Sequence, residues 1–248
     1  MRIIISPAKK MNRNVDSFAC RALPRFLPRA EQLCRQLQGM TYEELKALWK
    51  CNDRIAQQNV ERLQSMDLHR GLTPAILAYE GIQYQYMAPG VFTSEELEYV
   101  QEHLRILSGF YGILRPFDGV VPYRLEMQAK LPNENGKDLY SYWGKSIADA
   151  LFSETDCVLN LASREYSQCV SAHLKDGVRF VTCRFCQRTG DSLTEKVTLC
   201  KMARGEMVRY LAERQIESVE QVRTFDRLGY HYEEDESDET VCTFVAEG

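Results

Sequence analysis

Cys157-Val158-Leu159-Asn160-Leu161-Ala162-Ser163-Arg164-Glu165-Tyr166 is the stretch from which the fold is read. Its first five residues are an apolar run of strand length, and Ser163 stands where a cap would start a helix at Arg164. Strands that feed helices make an α/β domain, and the junction is a common seat for an anion, because first-turn amides have no partners inside the helix.

The same reading extends in both directions. Arg2-Ile3-Ile4-Ile5 is a β-branched run stopped by Pro7, a buried first strand whose exit loop, Ala8-Lys9-Lys10-Met11, brings two ammonium groups to a strand end. Residues 179–186 and 193–199 have β propensity and flank Arg188-Thr189-Gly190-Asp191, which reads as a hairpin turn, and residues 200–215 read as a helix. Thr41 with Glu44 and Thr93 with Glu96 have capping-box spacing, so two further helices start there. The second carries Leu97, Val100, Leu104 and Leu107 at helical spacing and is expected to stop at Ser108-Gly109. Beyond it, Gly109 and Gly112 bracket Phe110 and Tyr111, a tight helix-to-helix or helix-to-loop hairpin. The expectation is one compact α/β domain over 1–248, a mixed sheet with surrounding helices.

Composition excludes several classes. With 44% apolar and 27% charged residues in 248, the chain can bury a sizeable core. No run approaches the roughly 20 apolar residues of a membrane span, and the N-terminal apolar run is too short for a signal sequence, so a cytoplasmic protein without membrane contact is expected. Nine scattered cysteines do not form a secreted disulfide framework, and reduced thiols follow. The net charge is −4, but Glu233-Glu234-Asp235-Glu236-Ser237-Asp238-Glu239 holds six carboxylates, which leaves +2 on the rest. That segment is expected to be an exposed loop and not a metal site, because packed carboxylates repel and a calcium loop needs spaced ligands and a glycine.

Several pairs invite chemistry. Cys183 and Cys186 have metal or redox spacing but fall in a predicted strand, where core packing is the plainer account. Cys169 and His173 are four apart on one helix without a second ligand pair. No metal and no cofactor are expected. Arg124 and Glu126, two apart in an extended segment, point to one side and either pair or flank a polar ligand. On the 200–215 helix, Arg204 falls inside the apolar arc of Met207, Val208 and Leu211, with Lys201 and Arg209 at its margin. A guanidinium there requires a carboxylate such as Glu126 or Glu165, backbone carbonyls, or a ligand phosphate.

In order along the chain stand Ser6-Pro7-Ala8-Lys9, Ala75-Ile76-Leu77-Ala78-Tyr79, the block from Leu104 to Asp118, Pro122-Tyr123-Arg124-Leu125-Glu126-Met127, Leu139-Tyr140-Ser141-Tyr142-Trp143-Gly144, Leu161-Ala162-Ser163-Arg164-Glu165-Tyr166 and Ala203-Arg204-Gly205-Glu206-Met207. These blocks resemble the YaaA family of bacterial peroxide-stress proteins. The sequence departs from that pattern at Lys10-Met11, where Thr-Leu is commoner, and at Glu80 and Gln168, where lysine is common. The resemblance implies a compact α/β protein that limits peroxide damage, is linked to control of free iron, and binds DNA through a basic cleft with a helix-hairpin-helix element. Residues 107–113 resemble the hairpin of such an element, although a turn that simply needs glycines fits equally.

The leading expectation is a non-enzymatic protein that binds duplex DNA with little sequence preference and no obligate protein partner. Lys9, Arg105, Ser108, Gly109, Gly112, Arg115, Arg124, Lys201, Arg204 and Arg209 would contact phosphate. The alternative is an enzyme acting on a nucleotide or nucleic acid, with Glu126, Ser163, Glu165 and Tyr166 as candidate catalytic groups. Iron sequestration by thiols and histidines ranks below both. Lys9, Arg124, Glu126, Ser163, Glu165, Lys201 and Arg204 are expected to converge on one cleft.

Overall fold

The structure, a computed structural model, describes residues 1–13, 18–190 and 192–247. Its main sheet contains β1 (Arg2–Ile5), β5 (Leu104–Ser108), β6 (Gly112–Leu114), β8 (Cys157–Leu161), β9 (Arg179–Thr189), β10 (Ser192–Thr194), β11 (His231–Tyr232) and β12 (Val241–Glu247). Short ladders pair β2 (Lys10–Met11) with β4 (Tyr79–Glu80) and β3 (Thr73–Pro74) with β7 (Gly119–Val120). The sheet runs β11-β12-β9-β8-β1-β5-β6, with β10 hairpinned onto β9. Pairs β12/β9, β9/β8, β8/β1 and β1/β5 are parallel, whereas β5/β6 and β11/β12 are antiparallel. The sheet is therefore mixed, as the sequence indicated. Ile3, Ile4 and Ile5 have no exposed surface, which is how an interior parallel strand covered on both faces reads in sequence.

The helices are α1 (Leu27–Gln38), α2 (Tyr42–Trp49), α3 (Asp53–Gln64), α4 (Ala75–Ala78), α5 (Ile82–Met87), α6 (Ser94–His103), α7 (Leu139–Trp143), α8 (Ser146–Phe152), α9 (Arg164–Ser171), α10 (Val197–Arg214) and α11 (Val219–Val222). Both expected capping boxes form, at Thr41 before α2 and Thr93 before α6. Helix α10 packs on α5, α6 and β9, while α8 and α9 pack on each other and on β6 and β5.

The structure corrects four readings. Helix α6 ends at His103, and Leu104–Ser108 is strand β5, wholly buried between β1 and β6. A short continuous apolar run suits a buried helix and a buried strand equally, and here pairing with Ile3–Ile5 decides. The helix-hairpin-helix expectation fails for the same reason: residues 108–112 close an antiparallel β-hairpin in which Ser108 faces Gly112, buried throughout. Lys10–Met11 is a two-residue strand and not open loop, and Lys10 pairs with Glu80. Helix α10 starts at Val197, three residues early, and only Ser192–Thr194 of the preceding run is strand. Of the predicted turn 188–191, Asp191 lies outside the described residues.

Cys183 and Cys186 are free, buried thiols in β9, so the pair packs in the core. Cys169 is buried with its thiol donating to the Tyr166 carbonyl, and burial raises its pKa to about 12; His173 lies beyond the end of α9. The acidic segment is largely exposed, with Glu233 paired to Arg188. No helix among the described residues is long and apolar enough to cross a membrane.

Candidate functional site

Strands β1 and β8 are neighbours, but their other partners lie on opposite sides, β5 beyond β1 and β9 beyond β8. Open α/β sheets hold ligands in the crevice that such a reversal leaves at the carboxyl ends of the strands. Here the crevice is a cleft of about 420 Å³. Ser6 follows β1, and its hydroxyl accepts the Ser163 N–H at 2.8 Å while donating to the Ser163 hydroxyl at 3.2 Å. Ser163 holds the N-cap position of α9 with extended backbone, yet its side chain caps no amide. The Tyr166 and Ser167 amides turn back to the Ser163 carbonyl, so those of Arg164 and Glu165 are the open donors of this positive helix end.

Helix α10 adds Lys201 and Arg204 to the lining. It reaches the cleft because Gly205 lets α10 close on α5: a Cβ there would collide with the Gln83 carbonyl oxygen, 2.9 Å from its carbon and 3.0 Å from the Met87 nitrogen. Gln83 and Arg204 thereby share one cavity. Tyr84 fixes the Ser6 turn by donating to its carbonyl at 3.0 Å. Lys9, Glu126, Glu165 and Tyr166 complete the polar part. Glu126 lies between two cations, Lys9 at 3.4 Å on one oxygen and Arg124 at 3.3 Å on the other. Arg124 occupies a small recess that shares Lys9, Glu126 and Tyr166 with the cleft. Glu165 accepts the Gln128 N–H at 3.3 Å, and burial, with Glu126 nearby, raises its pKa. Burial holds the Tyr166 phenol well above its usual range.

The polar atoms of this site are under-satisfied. Gln83 Nε2, Arg124 Nε and Arg204 Nε are buried without a hydrogen-bond partner, and Glu126 Oε1 has only its ion pair with Arg124, while only Asn12 Oδ1, Trp49 Nε1 and Tyr230 Oη lack a hydrogen bond in that way elsewhere among the described residues. Leaving a buried donor or acceptor unmade costs about 1–3 kcal/mol. Clustering of that cost in one cleft is the mark of a site that a ligand completes. Among the described residues Lys201 and Arg204 have no ion-pair partner. The lining holds Lys9, Lys10, Lys201 and Arg204 against Glu80, Glu126 and Glu165, and Arg124 behind it adds a further positive charge.

The residues expected to converge do so: Lys9, Glu126, Ser163, Glu165, Lys201 and Arg204 line one cleft, with Arg124 in the adjoining recess. Arg204 pairs with neither Glu126 nor Glu165. Other candidates lie elsewhere. Arg105 is 3% exposed and bound to Glu154, so it offers no phosphate contact. Ser108 has no exposed surface, and its hydroxyl is committed to Tyr123 at 2.6 Å and to the Phe110 and Tyr111 amides. Gly109 is a packing glycine, since a Cβ there would meet the Leu125 carbonyl oxygen at 2.5 Å, and Gly112 is buried with it. Arg115 sits at the opposite end of the sheet, beside Glu154, and Arg209 pairs with Glu213 at 2.8 Å. Sequence reasoning missed Gln83 and Tyr84 and gave Ser6 no role. Ser6-Pro7 at the end of a predicted strand was a usable signal for Ser6, whereas nothing in the short helix α5 marks Gln83.

Comparison with known proteins gives the family. The family described as peroxide stress protein YaaA matches residues 1–236. A UPF0246 protein of Lachnoclostridium phytofermentans is 54% identical over 245 residues, covering 99% of this chain and 96% of that protein. Another, from Desulfitobacterium hafniense, is 52% identical over 99% of this chain and 98% of its own. A third, from Agathobacter rectalis, is 49% identical over 98% of both. With a family match over residues 1–236 and relatives near half identity throughout, the chain belongs to the peroxide stress protein YaaA family.

Proposed function

We propose that this protein serves in peroxide defence by binding the phosphate of a nucleotide unit, free or within a DNA strand, in the cleft beyond β1 and β8. One observation carries the reading: Lys201 and Arg204, cations without acidic partners among the described residues, line the same cavity as the N-terminus of α9. A guanidinium and a helix N-terminus that line one cavity suit a phosphate. A volume of about 420 Å³ accommodates one small molecule or one nucleotide, while a duplex would engage the rim through its backbone. Exposed Lys9 and Lys10 belong to that rim. Backbone contacts make DNA binding sequence-tolerant and salt-dependent. Direct iron ligation stays the weakest reading, since among the described residues no three His, Cys, Asp or Glu side chains are grouped as metal ligands.

Fluorescence anisotropy with two unrelated duplexes and their single strands, from low to moderate salt, tests the reading, with a mononucleotide as competitor. Affinity falls as salt rises, Arg204→Ala weakens both sequences alike, and the mononucleotide competes. Undetectable binding at low salt, or binding indifferent to Arg204, refutes it.

Acid–base chemistry on the bound nucleotide is the second reading, favoured by Glu165, whose carboxyl holds its proton more tightly than usual beside a carboxylate flanked by two cations. Turnover of a nucleotide that Glu165→Gln abolishes while binding persists supports it, and binding without product formation discards it.

A further inference from the structure

Where β1, β5 and β8 begin, at the end of the sheet away from the cleft, four guanidinium groups gather on one carboxylate. Glu154, just after α8, takes Arg105 on Oε2 at 2.5 and 2.9 Å, with Arg2 at 3.4 Å on the same oxygen. On Oε1 it has Arg25 at 3.6 Å and Arg115 at 3.7 Å. Arg2 turns another nitrogen to Glu102 at 2.6 Å. Arg105 is buried and also donates to the carbonyls of Gln101, Glu102 and Leu104, and both of its bonds to Glu154 fall on Oε2.

Arg25 and Arg115 take no part at Oε2 and approach only Oε1. Their side chains are 50% and 53% exposed, and both stand beyond hydrogen-bond distance of Glu154. Arg25 has one long bond, to the Ala150 carbonyl at 3.4 Å. Because both approach the same oxygen, their nearest nitrogens are at most 7.3 Å apart, the two separations taken together. A tetrahedral oxyanion held at charge-assisted distances of about 2.7–2.9 Å on each side bridges such a gap. Local neutralisation is incomplete: the guanidiniums of Arg2, Arg25, Arg105 and Arg115 meet the carboxylates of Glu154 and Glu102, with the Asp118 carboxylate accepting the Arg115 backbone N–H. Crowding like charges in a fold is unfavourable unless an anion relieves it.

We propose that Arg25 and Arg115, beside the Arg105–Glu154 pair, form a second anion site that takes a phosphate group, as inorganic phosphate or as a phosphate monoester. It lies apart from the cleft, and its existence does not depend on what the cleft binds.

Isothermal titration of the full chain tests this, with Arg204→Ala as the background so that cleft binding does not mask the second site. Arg204→Ala takes up one inorganic phosphate per chain, and adding Arg25→Ala with Arg115→Ala lowers that affinity by at least about tenfold. Arg115→Lys, which keeps the charge and loses the planar fork, gives an intermediate loss. Glycerol phosphate in place of inorganic phosphate separates the two sources: tighter binding assigns the site to a monoester, and weaker binding to free phosphate. Acetate, with a single charge, binds more weakly than either. No phosphate uptake by Arg204→Ala, or uptake that the double arginine variant leaves unchanged, overturns the site. Both side chains are half exposed, so thermal melts of the variants stay close to the parent.

Discussion

Arg204→Met separates a ligand-binding arginine from a structural one by reversing the order of stability. The Arg204 stem belongs to the apolar arc of α10 with Met207, Val208 and Leu211, all fully buried, and its Nε is buried without a partner. Methionine keeps the unbranched stem and an equal helix propensity while removing the unpaired donor. Releasing that penalty, about 1–3 kcal/mol less the lost packing of the guanidinium, stabilises the free protein by about 1 kcal/mol. For a domain of this size that raises the melting temperature by about 2–4 °C. A saturating phosphorylated ligand reverses the order: at one hundred times its Kd it stabilises the parent by about 2.7 kcal/mol and the variant by little. Thermal and urea melts of both proteins, with and without a mononucleotide, make the measurement. A variant that melts well below the parent without ligand, or one that the ligand stabilises as much as the parent, refutes the reasoning.

Gly205→Ala drives a methyl group into the Gln83 carbonyl, so it destabilises by about 1–3 kcal/mol and displaces α10 from α5, lowering nucleotide affinity as well; a urea midpoint equal to that of the parent contradicts the close approach. Asp118 is 4% exposed with a folded pKa of about 6 against about 3.9 unfolded, so the native state holds its proton more tightly. Its contribution to stability is therefore complete below about pH 4 and lost as pH rises through 6, a gross change of about 3 kcal/mol. Asp118→Asn accordingly gains on the parent at pH 8 and loses that advantage at pH 4, read from urea midpoints, and a gap that ignores pH contradicts the assignment. Cys183→Ser buries a hydroxyl in β9 and costs about 1–2 kcal/mol by denaturation, yet leaves DNA anisotropy unchanged because β9 does not line the cleft. Loss of DNA binding by a folded Cys183→Ser protein would show a role for the thiol.

What the sequence determined by itself was local. Three consecutive isoleucines specify a strand covered on both faces, an apolar run ending at Ser163 specifies the turn from β8 into α9, and Thr41 and Thr93 specify helix starts through their own side chains. The common location of Lys9, Ser163 and Glu165 was legible as well, because polar blocks just past parallel strands gather at one end of a sheet. Tertiary structure alone decided the nature of Leu104–Ser108, since the pairing of Ile5 with Ile106 joins residues a hundred positions apart and overrides an apolar run that suits helix and strand alike. The same pairing buried Arg105 and Ser108 and removed them from any binding surface. It also set Arg115 beside Glu154 at the far end of the sheet, and the contact at Gly205 brought Gln83 to Arg204. Those relations depend on which segments meet in space, and neither spacing nor propensity along the chain contains that information.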